Sequence, residues 1–402
     1  MADWNDKSVK LGDYKIFLIL LSHMLITSVD GRGVDQFMKN RELPMHEGTS
    51  DDGDVIDCVD IRKQPAFNHP LLKNHTVQIK PHAQSRGIDE AENNPNMLFQ
   101  SWHKNGECPE GTVPLLRRTQ NFNHSRRSYP AFLHKKVAQL NDVNNPSNHE
   151  YAQVSAVDGN YYGARATINV WNPLTNFGEL SIAQIWVLAG DGNKLNSLET
   201  GWTVNNGEKK TRLFIYWTSD GYQSTGCYNL DCPGFVQTNK NIALGGSIEP
   251  VSKYGGEQRD ISIVIHKERS NSYSHSHFNN NDGNWWLQVQ DQLVGYWPSS
   301  IFTHLAGTSD AISWGGEIVN NQPNGHHTST QMGSGHFPNE AYGKASYFTK
   351  LGHFDEGSNV KDPENLEPFV TRPPCYDLRT GKDNKFGVFF YFGGPGYSTN
   401  CQ

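Results

Sequence analysis

The sequence predicts an all-β protein, an antiparallel β-sandwich preceded by a smaller, partly irregular N-terminal unit. Three observations carry that prediction. Past residue 150 the chain runs in short segments of apolar/polar alternation, the two-residue period of a strand. Gly, Asn and Ser residues punctuate those segments, and no long helical period interrupts them. Eight of the ten tryptophans also fall after residue 150, which suits one well-packed core there and a looser N-terminal part.

The first residues read as a secretory leader. Lys7, Lys10 and Lys15 precede an apolar run from Ile16 to Ile26, and Thr27-Ser28 follow it. The run is short for a membrane span and is interrupted by Ser22 and His23, so residues 1–28 are expected to be a signal peptide. No stable membrane association is expected once it is removed, and the implied location is secreted or extracellular, in the apoplast or a compartment of the secretory pathway. Residues 29–128 form the smaller unit, with the proline-punctuated stretches Gln64-Pro65-Ala66-Phe67 and His69-Pro70-Leu71-Leu72 extended more than helical. A linker is expected over 129–148, rich in Asn and carrying Lys135-Lys136. The main domain spans 149–402.

Within that domain the alternating stretches begin at 164–171 and 181–188. They continue at 198–204, 212–217, 242–244, 261–266, 285–290 and 314–319, and end at 387–392. Some 250 residues suffice for one such core. The net charge of −7 and pI near 6.2 give no reason to expect a nucleic-acid partner. Six cysteines in an exported chain favour disulfides. The simplest of the fifteen connectivities pairs Cys58 with Cys108, Cys227 with Cys232 and Cys375 with Cys401. Asn74 and Asn123 stand in glycosylation sequons. His275, His277, His326 and His327 suggest a metal only weakly, because no acidic or thiol partners lie near them in sequence; they are expected to be solvated loop residues, and no metal or cofactor is expected.

Two stretches draw attention for chemistry. In Leu198-Glu199-Thr200-Gly201-Trp202, Glu199 shares a face with Gly201; in Trp314-Gly315-Gly316-Glu317, Glu317 shares a face with Gly315. Each carboxylate is expected over open space beside its glycine, and two such strands can present a pair of carboxyl groups across one cleft. A lone Glu on an alternating strand is ordinarily a solvated residue, so the pattern alone does not single these two out.

Longer motifs do. The N-terminal unit carries Asp57-Cys58-Val59-Asp60-Ile61, Lys63-Gln64-Pro65-Ala66-Phe67, His69-Pro70-Leu71-Leu72-Lys73 and Cys108-Pro109-Glu110-Gly111-Thr112-Val113-Pro114. The main domain carries Tyr161-Tyr162-Gly163-Ala164, Ala166-Thr167-Ile168-Asn169-Val170-Trp171, Glu199-Thr200-Gly201-Trp202 and Tyr216-Trp217-Thr218-Ser219-Asp220-Gly221-Tyr222, then Thr225-Gly226-Cys227-Tyr228-Asn229, Trp314-Gly315-Gly316-Glu317 and Gly333-Ser334-Gly335-His336-Phe337. In these, and in their order, the chain resembles the neprosin family of plant secreted proteins over nearly its whole length. The resemblance implies a zymogen of a glutamic endopeptidase that cuts after proline. Its N-terminal unit is implied to be the activation peptide and intramolecular inhibitor, its peptidase domain an antiparallel β-sandwich, and Glu199 and Glu317 its catalytic pair.

Such a pair can activate water. One carboxylate takes the proton as water attacks the scissile carbonyl, while the other, protonated, hydrogen-bonds the developing oxyanion. One proton on the pair is the working state, which implies an acidic optimum. Tyr216, Tyr222, Trp285 and Tyr296 are candidates for lining a proline pocket, although no residue is assigned to substrate binding. Seven histidines between 46 and 134 (His46, His69, His75, His82, His103, His124 and His134) suggest that acid loosens the N-terminal unit. Pro130-Ala131 and Pro146-Ser147 are expected self-processing bonds. The competing class is an inactive carbohydrate- or wall-binding sandwich; a glycosidase is a third reading, since paired carboxylates serve that chemistry too.

Overall fold

The computed structural model describes residues 46–81, 98–117, 148–205, 207–268, 283–322 and 326–402. The expected signal peptide, most of the linker with both proposed self-processing bonds, Asn123, His82, His124, His134, His275 and His277 lie outside them. Among the described residues the regular elements are strands and short 3₁₀ helices of three to five residues. The N-terminal segment supplies β1 (His46–Thr49), β2 (Val55–Asp60) and β3 (Thr112–Leu116), which form a small antiparallel sheet in that order.

The main domain is two packed sheets. The smaller contains β4 (His149–Ala156), β6 (Leu180–Ala189), β7 (Asn196–Asn205), β8 (Arg212–Thr218), β13 (Ala311–Val319) and β17 (Glu367–Val370), in the order β17-β4-β13-β6-β7-β8. The larger is built on β5 (Gly163–Asn169), β9 (Val236–Gln237), β10 (Asp260–Lys267), β11 (Trp285–Val289) and β12 (Gln292–Trp297), with β14 (Met332–Gly333), β15 (Ser346–Phe354) and β19 (Gly387–Gly394). Its order is β14-β19-β15-β5-β10-β11-β12-β9; β16 (Val360–Lys361) and β18 (Asp377–Asp383) pair with β15 and β19.

The alternation positions the core. Leu198, Trp202 and Val204 of β7 face the larger sheet with Ile185 and Val187 of β6 and Trp314 and Ile318 of β13, where they meet Ile263, Ile265, Leu287, Phe348 and Phe392. Two of these tryptophans also reach across: the Trp202 indole donates to the Asn169 carbonyl and that of Trp314 to Arg165. Gly316 permits this packing, since a Cβ there would lie 2.6 Å from the Phe392 ring and 2.7 Å from the Met332 sulfur.

All three disulfides form as paired from the sequence. Residues 65–68 and 70–72 are single 3₁₀ turns, consistent with the proline spacing. The expected strand at 242–244 is instead a loop, and β4, β12, β15 and β18 are strands that alternation did not pick out.

The N-terminal segment completes the main core rather than sitting beside it. Leu72, Leu98, Val113 and Leu115 belong to the same buried cluster as Leu244, Ile248 and Trp217. Two buried glutamines anchor it by paired bonds to main-chain amides. The Gln64 side chain donates to the Gln237 carbonyl at 2.9 Å and accepts from the Gln237 N–H at 2.7 Å. Gln100 does the same at Ala243, 2.8 Å each way. Gln237 sits on β9, the edge strand of the larger sheet, so Gln64 caps an open edge. Asp54 adds a two-pronged ion pair to Arg212 at 2.7 and 3.0 Å.

The glycines of the smaller sheet tolerate no side chain. A Cβ on Gly201 would lie 1.9 Å from the Ala183 carbonyl oxygen of β6. Gly201→Ala is expected to cost about 2–4 kcal/mol, in the range of overpacked or strained sites. Thermal unfolding checks this against Gly307→Ala, where the nearest atom is at 3.4 Å and no loss beyond about 0.5 kcal/mol is expected.

Candidate active site

Register places Glu199 and Glu317 on one face of the smaller sheet, the face turned away from the core. On β6, Trp186 pairs with Glu199 of β7, and Ile182 pairs with Glu317 of β13. Between those two rows lies a third, in which Gly201, Gln184, Gly315 and Gln153 stand side by side on β7, β6, β13 and β4. Two strand spacings and a four-residue step put the two glutamate Cα atoms roughly 16 Å apart on ideal geometry.

The two glycines are there for a reason other than the one expected. A Cβ on Gly315 would fall 2.4 Å from Gln153 Cβ and 2.6 Å from the Ala152 carbonyl oxygen, as on Gly201 it would strike β6. Close backbone approach excludes a side chain, and the central row is left with only its two glutamines. Nor are the carboxylates solvated: Glu199 is 0% and Glu317 2% exposed.

Each carboxylate is held by its own donors. Glu199 Oε1 accepts from the Ser197 hydroxyl at 2.6 Å and the Tyr222 phenol at 2.8 Å. Glu317 Oε2 accepts from Gln184 Nε2 at 2.7 Å, while Oε1 lies 2.6 Å from Nδ1 of His149, both side chains being buried. The Gln153 side-chain oxygen, on the same face, has no hydrogen-bond partner among the described residues.

Tyr222 is delivered by a strained turn. It has φ 64°, a conformation that bulky residues rarely adopt. Asp220 holds the turn, accepting from the main chain of Gln223, Ser224 and Thr225 and from the Thr225 hydroxyl. Burial pushes the Asp220 carboxyl up, but the bonds from Ser224 and Thr225 outweigh it and hold it down, to about 2. The Cys227–Cys232 disulfide closes the loop that follows, and Tyr228 pairs with Tyr216 of β8. Tyr151, Trp186, Phe214, Tyr216, Tyr222 and Tyr228 thus make an aromatic cluster on the carboxylate face.

Of the four aromatic residues proposed as pocket lining, Tyr216 and Tyr222 are on this face. Trp285 and Tyr296 are not. Trp285 is in the main core with its indole on the Leu305 carbonyl, and Tyr296 lies on the outer face of the larger sheet under Ala66 and His75. His327 is a correction: it is buried and bonded to the Glu150 carboxylate at 3.0 Å, whereas its neighbour His326 is exposed. His327 also lies near Cys375 and Cys401, but those sulfurs are bonded to each other and offer no thiolate for a metal. His336 bonds Glu340 at 2.9 Å. Asn74 is exposed, as a sequon residue must be. Sequence reasoning missed His149 and Gln184, because nothing local marks a partner that arrives from another strand, and Ser197, two residues before Glu199 on β7 itself.

Family comparison decides the class. Residues 177–395 match the family described as Neprosin, and residues 48–155 match the Neprosin activation peptide. The chain belongs to the neprosin family. It is a glutamic peptidase with an activation peptide, the zymogen arrangement, and the activation-peptide match runs on through β4 of this neprosin sandwich. The structure is also similar to the crystal structure of scytalido-glutamic peptidase with a peptide-based transition-state analogue: 13% identity over 62% of this chain and 98% of that one, TM-score 0.33. It is similar too to SCP-B, a member of the eqolisin family of peptidases in complex with the tripeptide Ala-Ile-His, at 12% identity over 61% and 97%, TM-score 0.32. Among the described residues no helix is long and apolar enough to cross a membrane.

If the Tyr222 phenol orients Glu199, Tyr222→Phe lowers kcat about 10- to 100-fold with little change in KM, the size of one positioned donor. Steady-state kinetics of the acid-processed protein, beside its melting curve, checks it.

Proposed function

We propose that this protein is a secreted endopeptidase that hydrolyses the bond following proline at acid pH, with Glu199 and Glu317 acting on an attacking water. The activation segment occupies residues 29–128 and the peptidase domain 149–402. The observation that carries the reading is the pair of fully buried, separately hydrogen-bonded carboxylates flanking the Gly201-Gln184-Gly315 row on one sheet face. An extended substrate lying along that row has a carboxyl group on either side of its scissile bond. The ionised Glu takes a proton from water, the hydroxide adds to the carbonyl carbon, and the protonated Glu donates to the oxyanion. Collapse of the tetrahedral adduct returns a proton to the leaving nitrogen.

A proline residue has a compact apolar ring and no N–H to satisfy, which suits a pocket of aromatic walls. Tyr216 and Tyr222 with Trp186 supply such walls beside Glu199, and Tyr151 stands opposite Glu317 on the same face. Export is supported by three disulfides in a chain with no free cysteine among the described residues.

Acid has a defined point of action on the activation segment. Burial holds the His69 and His75 imidazoles below their ordinary value, with His75 Nε2 2.8 Å from the Tyr296 phenol and the His69 ring 6.2 Å from that of Trp217. Docked, these groups resist protonation; released, they accept it. Docking is therefore undiminished above the ordinary imidazole range near pH 6.5 and weakens as the pH falls below it.

Two experiments follow. Acid-treated protein, incubated with a proline-containing peptide and with a glycan panel, is expected to give a new mass after proline and none from the glycans. Glu199→Gln and Glu317→Gln should each lower that cleavage at least 1,000-fold, consistent with loss of an essential group; glycan cleavage or glycan binding without proteolysis would replace this reading. Replacing both His69 and His75 by Gln should move the activation midpoint to lower pH, read by gel after incubation across pH 3–7; an unmoved midpoint removes these two histidines from the switch.

A further inference from the structure

We infer that the pocket holding Asp52 and Asp54 of the activation segment becomes, once the segment has left, a docking site on the peptidase domain for an acidic stretch of the substrate chain. The inference rests on the segment being a removable inhibitor and adds a recognition element that the two glutamates do not supply.

The pocket is built by the peptidase domain. Its floor is Arg212 of β8, 7% exposed, whose guanidinium holds Asp54 by two parallel bonds, Nη1 to Oδ2 at 2.7 Å and Nη2 to Oδ1 at 3.0 Å. Glu208 accepts from Nε at 3.0 Å and the Gly245 carbonyl from Nη1 at 2.9 Å, so two contacts within the peptidase domain fix the plane of the fork. Ser247 faces Arg212 across a β-bridge, and its hydroxyl donates to Asp52 Oδ2 at 2.6 Å. Lys210 Nζ donates to the Asp52 carbonyl and lies 3.8 Å from Asp52 Oδ2 and 3.9 Å from Asp54 Oδ1. An arginine, a lysine and a hydroxyl thus receive the two carboxylates of Asp52-Gly53-Asp54.

Departure of the segment removes both carboxylates. Arg212 keeps Glu208 and Gly245 and loses the two bonds at the end of its fork. A guanidinium already fixed in plane suits a planar carboxylate, and the adjoining Lys210 and Ser247 suit a second one two residues along. Position makes the substrate the occupant. Arg212 stands opposite Thr203, Thr203 opposite Ile182, and Ile182 opposite Glu317. Arg212 therefore shares the face and the row of Glu317, three strand spacings away, about 14 Å on ideal geometry. An extended chain covers that span in about four residues. A peptide crossing the face can lay acidic side chains in the pocket while its scissile bond lies at the glutamates. In the zymogen Asp52 and Asp54 hold the pocket closed to it.

The test takes the full chain, processed at acid pH and separated from the segment by gel filtration, and returns it to pH 6, where carboxylates are charged. The probes are a fluorescent peptide with the sequence of residues 49–54, which contains no proline, and its counterpart with Asn for every Asp. By anisotropy the acidic probe should bind at least about tenfold tighter, and less tightly as salt is added, while the unprocessed chain binds neither. Arg212→Gln should remove the preference, and Lys210→Gln, at the exposed rim, should reduce it even where the arginine variant fails to fold. Proline-containing peptides with Asp-Gly-Asp about four residues to either side of the proline should be cut with a KM about tenfold below that of their Asn-Gly-Asn versions. Equal affinity for the two probes, an undiminished preference in both variants, or equal KM values overturns the inference. So does a segment that stays on the processed chain through gel filtration. Selective binding of the acidic probe with no cleavage after proline would support the pocket and sink the peptidase specificity proposed above, an outcome distinct from the others.

Discussion

Backbone contact across β7, β6 and β13 is the constraint on which the site depends. At Gly201 the Ala183 carbonyl stands where a Cβ would go, and at Gly315 the Gln153 side chain and Ala152 carbonyl do. Three strands held this closely have a central row emptied of side chains except for Gln184 and, on β4, Gln153. Bulk is possible only in the rows above and below, where Glu199 and Glu317 stand. The same strands bury Trp202 and Trp314 on their other face, so the packing that stabilises the sandwich also sets the carboxylates' stagger.

Much of this was legible where alternation was clean. The stretches around Glu199, Glu317, Ile185 and Ile263 have a two-residue period that places the apolar set inward, and their strands formed with those faces. The period failed elsewhere for identifiable reasons. All eight residues of β4, His149–Ala156, are buried, so its two faces do not differ in the way alternation requires. In β15 a register shift between Thr349 and Gly352, with Lys350 at φ 52°, breaks the count. Ile242-Ala243-Leu244 is apolar because it packs under Leu115 and Gln100, and it made no ladder. The glycines were seen but misread as room for a side chain. Their real meaning needed the neighbouring strand, as did His149, which is 168 positions from the carboxylate it touches.

The activation segment combines two kinds of attachment that respond differently to pH. Gln64 and Gln100 hold Gln237 and Ala243 through uncharged amides, and Leu72, Leu98, Val113 and Leu115 hold through burial; neither changes with protonation. His69 and His75 change on acidification. Asp54 adds the ion pair with Arg212 at 2.7 Å. The segment is thus fixed by a permanent set of contacts and poised by a titratable one. Among the described residues these contacts lie at the β8 and β9 edges and on the outer face of the larger sheet. Arg212 is the structural link between the two regions: it pairs with Asp54 of the segment and, on β8, stands opposite Thr203 of β7, four residues along the strand from Glu199.

A buried carboxylate must be compensated from close by, and the kind of compensation determines what the group can do. Hydroxyls give and receive, so Ser197 and Tyr222 can serve Glu199 in either protonation state. The amide N–H of Gln184 only gives, while the imidazole nitrogen of His149 gives or receives according to its tautomer, so this pair can meet Glu317 in either state. Two residues of one chemical type, on one sheet face and with similar exposure, are thereby given different partners. That difference is supplied by the fold: β6 brings Gln184, β4 brings His149, and the strained turn after β8 brings Tyr222. Which neighbours stand against each carboxylate is thus decided by the sheet order and by the turn that follows β8.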